Sequence, residues 1–387
     1  MISLPTRSFE NLPTPFYYYD EGLLRATLDA LNEQVARHPN FIVHYATKAN
    51  ANLRILQIIK EAGLGVDCVS GGEIETALRA GFKADNIVFA GVGKSDWEIK
   101  LALENNIFCF NVESIQELEV IEQLCNEMNQ QANVCLRVNP NVNAHTHKNI
   151  TTGLAENKFG IPVDSVWETI EKMQAMKHVR FIGLHFHIGS QIVNLNDFRE
   201  LCTSVNSLLE LLKQHNIEPE HINVGGGLGI DYEDPTSHPI PDFKAYFDMY
   251  AQHLQLNEKQ KAHFELGRSL VGQCGYLVSR VLYVKQGQSK RFLILDAGMN
   301  DLLRPALYHA KHQIVNLSNP SATSEVYDVV GPVCESSDVF SRDVLLPQSH
   351  RGDLMAICSV GAYGEAMASQ YNCRQLPKSY LSDDFNI

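Results

Sequence analysis

The sequence predicts an α/β fold: a (β/α)8 barrel of the TIM type followed by a C-terminal all-β domain that the N-terminal strand joins. Three observations carry this expectation. Eight short β-rich runs lie between residues 41 and 268, segments of helical period separate them, and past about residue 270 the long helical segments stop. Eight β-α alternations in about 230 residues suit a barrel whose usual size is about 250. An open doubly wound sheet has the same alternation, because a count of strands does not show closure.

The elements follow in order. TPFYYYD (Thr14 to Asp20) is an extended piece. The barrel runs begin with FIVHYATK (Phe41 to Lys48), GVDCVS (Gly65 to Ser70), IVFAG (Ile87 to Gly91) and FCFNVE (Phe108 to Glu113). They continue with VCLRVNP (Val134 to Pro140), FIGLHFHIG (Phe181 to Gly189), HINVGGG (His221 to Gly227) and HFELGR (His263 to Arg268). Intervening segments such as NLRILQIIKEAG (Asn52 to Gly63) repeat apolar residues at i, i+3, i+4 and i+7, the helical period. The long connection from Asn141 to Gly160, after the fifth run, is a candidate active-site loop. Beyond residue 270, CGYLVSRVLYVKQ, RFLILDAG, SEVYDVVGPV and GDLMAICSVGAY read as strands separated by turns. The expected domains are therefore 1–24, a strand segment joining the β domain; 25–268, the barrel; and 269–387, the β domain.

Bulk properties exclude several classes. Of 387 residues, 44% are hydrophobic and 20% charged, an ordinary globular balance. The net charge of -13 is spread along the chain, which argues against nucleic acid or an anionic membrane as partner. Nine cysteines without a C-x-x-C pair form neither a disulfide framework nor a zinc site, and suit a reducing compartment. The N-terminus lacks the basic-then-apolar order of a secretory signal, and no apolar run reaches the roughly 18 residues of a membrane span. A cytoplasmic protein is expected.

Barrels of this type keep their chemistry at the C-terminal ends of the strands. The run ends here carry Lys48, Asp67, His185, His187, Gly225 to Gly227, Glu265 and Arg268. A lysine at a barrel mouth is desolvated, which lowers its pKa and equips it to form a Schiff base with a carbonyl, whereas a lone strand-end lysine is merely solvated. GGGLG (Gly225 to Gly229) is a turn whose bare amides reach a phosphate, or a tight turn and nothing more. Glu265 is either an ion-pair partner of Arg268 or a buried carboxylate that keeps a pyridine nitrogen protonated. His185 and His187 share a strand face; H-x-H also opens metal sites, but no further ligands follow at a convincing spacing, so no metal is expected. One of these rings suits stacking on a flat cofactor, and the other an interior position. Lysine, phosphate cradle, stacking ring and carboxylate are the parts that pyridoxal 5'-phosphate (PLP) requires.

HYATKAN, GVDCVSGGE, HFHIGSQ, NVGGGLGI, ELGRSLVG, RPALY, GPVCESSD and GAYGEAM, in this order, resemble the motifs of the diaminopimelate decarboxylases. These are fold-type III PLP decarboxylases, alongside the ornithine and arginine decarboxylases. The resemblance implies a homodimer with active sites shared between subunits, decarboxylating meso-2,6-diaminopimelate to L-lysine and CO2. By position it makes Lys48 the residue that holds PLP and His187 the stacking ring. Ser190, Gly226 and Gly227, with the segment Glu265, Leu266, Gly267 and Arg268, cradle the phosphate. Glu265 pairs with the pyridine nitrogen, Asp67 orients the site around the lysine or ring, and Tyr363 seats cofactor or substrate.

The resemblance also makes Cys334, delivered from the neighbouring subunit, the proton donor, and Glu335 the holder of a substrate ammonium. Arg268, Arg304 and Tyr308 read the second carboxylate, since an arginine fork binds a carboxylate in bidentate fashion. Leu266 stands where the family often has proline. C-E-S-S-D replaces the C-D-x-x-D of ornithine enzymes, although Asp338 keeps their second aspartate. An ornithine- or arginine-type decarboxylase, and an inactive decarboxylase-like regulatory protein, are the alternatives; the retained Lys48 and Cys334 count against the second.

Overall fold

The eight short runs become eight parallel strands, and the closing contact separates a barrel from an open sheet. In the computed structural model of the protein, which describes residues 4–140 and 158–385, the barrel strands run in chain order. They are Phe41–Ala46, Gly65–Cys68, Ile87–Phe89, Cys109–Val112, Ala132–Asn139, Val179–His185, His221–Asn223 and Lys261–Leu266. Each pairs in parallel with the next, and the last returns to the first with Ala262 opposite Phe41 and Leu266 opposite Tyr45. Most of the connection from Asn141 to Gly160, expected as an active-site loop, lies outside the described residues.

Local chemistry starts and stops the intervening helices. The Asn52 side chain accepts from the Arg54 amide and opens helix Leu53–Glu61. Ser70 does the same for Gly71–Ala80, which Gly81 ends at φ 92, a left-handed value glycine adopts freely. Leu53–Glu61 buries Ile55, Leu56 and Ile59 completely. Each such side chain contributes about 1.5–3 kcal/mol of burial.

Residues Leu28–Gly229 and Asp242–Gly267 form the barrel unit; Met1–Thr27, Ile230–Pro241 and Arg268–Ile387 form the β unit. In the β unit, Phe16–Tyr19 pairs antiparallel with Gly275–Gln286 and parallel with Lys378–Leu381, so the N-terminal strand joins the β sheet as expected. All four of its residues are buried, and the hydroxyls of Tyr17 and Tyr19 reach the Asp301 carbonyl and the Glu365 carboxylate. Phe9, Phe16, Tyr18, Tyr276, Val278, Leu354, Ala356 and Cys358 pack as its core.

Sequence reading drew the barrel as one span, 25–268, whereas Ile230–Pro241 groups with the β unit. That stretch has no apolar period, and side-chain hydrogen bonds hold it: Gln273 Nε2 donates to the carbonyl oxygens of Pro235 and His238. No helix among the described residues is long and apolar enough to cross a membrane.

Candidate active site

Beside the apolar cluster of Val88, Cys109, Cys135 and Ile182, the barrel strands bury a set of polar side chains where such barrels usually carry branched apolar ones. Glu265, on the last strand, is buried; its Oε1 accepts from Asn111 Nδ2 at 3.2 Å and Asn223 Nδ2 at 2.7 Å, and its Oε2 lies 3.1 Å from His185 Nε2. Burial pushes the carboxyl up, but His185 and the charge of Lys48 outweigh it and hold the group well below the usual carboxylate range. Glu265 is therefore an anion inside the barrel. Deeper in the same interior, His44 Nε2 lies 2.9 Å from His263 Nδ1, and His263 Nε2 lies 2.8 Å from His221 Nδ1.

Lys48 stands in the single helical turn Thr47–Ala49 that follows the first strand, half-buried, with Nζ 3.2 Å from Asp67 Oδ2. Asp67 is fully buried on the second strand. Burial first, and the Glu265 charge second, push its pKa to about 7, against the pull of Lys48. Its other oxygen, Oδ1, is buried without a hydrogen-bond partner among the described residues. A buried carboxyl that titrates near neutrality beside a lysine amine suits proton exchange with that amine.

His187 lies two residues beyond the sixth strand, and its Nδ1 accepts from the Gly226 amide at 3.2 Å. Burial, reinforced by Lys48 and Arg137, keeps its pKa well below the ordinary histidine value, so the ring is neutral and flat. The glycines of GGGLG satisfy backbone packing first. A Cβ on Gly226 would come within 1.8 Å of the Glu265 carbonyl oxygen, and one on Gly227 within 2.5 Å of that of Gly189. The Ile192–Leu228 bridge ties the segment carrying Ser190 to this glycine turn. Leu266 continues the strand opposite Tyr45 and is fully buried, so the site keeps its strand end without proline. Gly267 packs against Ala46 and Ala49, where a Cβ would stand 3.1 Å from each alanine's own Cβ.

The β unit gathers a second set. Arg268 donates from Nη1 to the Tyr232 hydroxyl at 2.6 Å, and its guanidinium carbon lies 4.8 Å from the Tyr363 ring centre. Arg304 packs 4.6 Å over the Tyr232 ring and donates from Nη1 to His312 Nε2 at 2.7 Å. Burial, and to a lesser degree the like charge of Arg268, lower the pKa of Arg304. Tyr308, in the short helix Arg304–Tyr308, interacts electrostatically with both guanidiniums. Tyr363 has φ 58, a backbone state uncommon for a side-chain-bearing residue and one that clusters at functional sites.

 Cys334 and Glu335 are exposed on the loop from Gly331 to Asp338. The Cys334 amide donates to Asn372 Oδ1 at 3.2 Å, and Glu335 Oε1 accepts from the Tyr371 hydroxyl at 2.6 Å. Asp338, the residue shared with the ornithine pattern, is buried and accepts from the amides of Met299 and Val333 at 2.7 and 2.6 Å. It builds the loop, so its presence says nothing of a diamine product.

The predicted residues thus fall into three groups. Lys48, Asp67, His187, Ser190, Gly226, Gly227, Glu265, Leu266 and Gly267 belong to the barrel; Arg268, Arg304, Tyr308 and Tyr363 gather in the β unit; Cys334 and Glu335 share one loop. Sequence reasoning missed Asn111, Asn223, Tyr232 and His312. An asparagine inside each of the apolar runs FCFNVE and HINVGGG was the available signal for the first two. Arg137, 2.6 Å from Glu113 Oε1 and packed over Phe159, was also missed.

A closed barrel whose strand ends hold a lysine, an ionised buried carboxylate, a neutral imidazole and a glycine turn has the donor set for a pyridine aldehyde phosphate. The class this defines is the PLP-dependent decarboxylases, and residues 22–272 match the family described as "Pyridoxal-dependent decarboxylase, pyridoxal binding domain". A diaminopimelate decarboxylase from Bacteroides thetaiotaomicron is 60% identical over 380 residues, 98% of each chain. The crystal structure of diaminopimelate decarboxylase from Helicobacter pylori complexed with L-lysine matches with a TM-score of 0.92 at 41% identity, covering 98% of this chain and 94% of that one. That of the Methanocaldococcus jannaschii enzyme in co-complex with L-lysine matches with a TM-score of 0.89 at 39% identity, covering 97% and 88%. The chain belongs to the diaminopimelate decarboxylase family and is a carboxy-lyase that uses PLP.

Proposed function

We propose that the enzyme converts meso-2,6-diaminopimelate to L-lysine and CO2, the last step of lysine biosynthesis, as a homodimer with shared active sites. The observation that carries the substrate assignment is the pair of buried guanidiniums, Arg268 and Arg304, supported on tyrosine rings. Arg304, buried against a tyrosine face and a neutral imidazole, favours an anionic ligand, and a substrate with a second carboxylate supplies one. Ornithine and arginine have no such group.

Bound PLP supplies the electron sink for the pair released when the carboxylate leaves. Lys48 supplies the amine that holds the cofactor, and Asp67 exchanges a proton with that amine. Glu265, kept anionic by its low pKa, holds a proton on the pyridine nitrogen. His187 gives the ring a neutral flat neighbour. Ser190, Gly226, Gly227 and the segment from Glu265 to Arg268 bind the phosphate, and Tyr363 seats cofactor or substrate. The thiol of Cys334, delivered from a second copy of the chain, donates the proton that the decarboxylated carbon takes up. Glu335 on the same loop holds a substrate ammonium, and Tyr308 assists the two arginines.

Two measurements test this reading. Incubation with meso-diaminopimelate yields one CO2 and one L-lysine per substrate consumed; no CO2 release contradicts the reaction. Mixing inactive Lys48→Ala and inactive Cys334→Ala subunits restores partial activity if active sites are shared. No recovery in subunits shown to have exchanged contradicts the sharing.

A further inference from the structure

Two residues outside the predicted site hold both arginines. We infer that Tyr232 and His312 are positioning residues that aim the guanidiniums of Arg268 and Arg304 at the second carboxylate of the substrate, and so set selectivity for a dicarboxylic amino acid. The inference deepens the proposed function and rests on it.

The hydrogen-bond roles at His312 follow from its neighbours. Its Nδ1 lies 2.8 Å from the Cys358 carbonyl oxygen, which only accepts, so Nδ1 carries the proton. Nε2 then has a lone pair and accepts from Arg304 at 2.7 Å. Burial and the Arg304 charge lower the His312 pKa to about 3, so this tautomer is neutral across the physiological range. A neutral acceptor fixes one edge of the guanidinium without cancelling its charge. Among the described residues no carboxylate lies within ion-pair distance of Arg304, although the side chain is buried.

Tyr232 serves both arginines with different parts of one side chain. Its ring face lies under Arg304 and its hydroxyl accepts from Arg268 Nη1. It also meets the His312 ring edge to face, with centroids 5.0 Å apart. Two like charges are thereby held beside one another, and the groups named here for Arg304, a tyrosine face and an imidazole, leave its charge in place. A bidentate partner for a carboxylate needs its orientation fixed before binding, which is what this scaffold provides. Tyr232 comes from Ile230–Pro241, the stretch that interrupts the barrel sequence yet belongs to the β unit, and this gives that excursion a purpose.

The test uses holoenzyme variants with cofactor absorbance and melting temperature matched to wild type. Tyr232→Phe removes the acceptor for Arg268 and keeps the ring. His312→Leu removes the acceptor for Arg304, and His312→Gln returns an oxygen to nearly the same place. For Tyr232→Phe and His312→Leu the expected result is a KM for meso-diaminopimelate raised about tenfold with kcat within about twofold, the pattern of lost uniform binding. Inhibition by pimelate, a dicarboxylate without amines, weakens in parallel, inhibition by a diamine of similar length without carboxylates does not, and His312→Gln recovers most of the loss. An unchanged KM and unchanged pimelate inhibition in Tyr232→Phe overturn the inference while leaving the proposed function intact. Wild-type enzyme without activity on meso-diaminopimelate overturns both.

Discussion

The barrel interior and the arginine cluster of the β unit both bury charge, and they treat it in opposite ways. In the barrel, Glu265 is enclosed by Asn111, Asn223 and His185, and Lys48 meets Asp67. The anion there is surrounded by donors from its own unit. In the β unit, Arg304 meets a tyrosine face and a neutral imidazole. On the proposed function, the site that would hold a permanent cofactor carries its counter-charges within the protein, whereas the site that would release its ligand each turnover leaves the counter-charge of Arg304 to the substrate. Burying an isolated ion costs several kcal/mol, so the second arrangement exchanges stability for affinity.

Substitutions break this contrast in graded steps. Lys48→Ala has the largest effect: it removes the visible absorbance of bound cofactor and abolishes activity, checked by spectrum and CO2 release. Next comes Glu265→Gln, which keeps the shape but not the charge; kcat falls by about 10²–10⁴, the range of a proton-positioning group, while the cofactor still binds. Asn223→Leu removes one neutral donor and leaves the charge. Its kcat falls about tenfold, with the optimum pH displaced because Glu265 is less well held as an anion. Equal losses in Glu265→Gln and Asn223→Leu would mean that packing, not charge, governs the barrel site.

The smallest effect concerns stability. Burial lowers the His44 pKa to about 4, and burial likewise lowers those of His263 and His221. These rings are neutral in the fold, while the unfolded chain protonates them below about pH 6.5. The folded pKa is depressed for a base, so the unfolded state binds more protons and stability falls as pH drops from about 6.5 toward 4. The histidine contribution to the melting temperature therefore falls between pH 7.5 and 5, opposite in sign to that of the buried Asp67 carboxyl, so the readout is the difference between wild type and His44→Gln, which moves against wild type as the pH drops. Parallel curves for the two proteins would remove the histidine chain from the account.

Much of the fold was legible because its signals are local. Eight apolar runs, helical periods and caps such as Asn52 and Ser70 need no distant partner to be recognised. Lys48, Asp67 and Glu265 were legible because polar residues at strand ends contradict packing. Asn111 and Asn223 were not, since a single asparagine in a run has meaning only once the closed barrel brings it to Glu265. Tyr232 was hidden by chain order: it lies in a stretch without period, and its partners Arg268, Arg304 and His312 follow from 36 residues on in the first case. Asp338 was read through a motif, and its hydrogen bonds to Met299 and Val333 show a loop-building role that a motif does not display.

Substrate discrimination tests the central claim most directly. The measurement is CO2 release from meso-diaminopimelate, ornithine, arginine and lysine by wild-type enzyme and by Arg304→Ala. The account predicts that meso-diaminopimelate has the highest kcat/KM in wild type and that Arg304→Ala lowers it by at least about tenfold, with little change for substrates lacking a second carboxylate. Ornithine decarboxylated faster than meso-diaminopimelate, or an equal loss for all four substrates in Arg304→Ala, would contradict it.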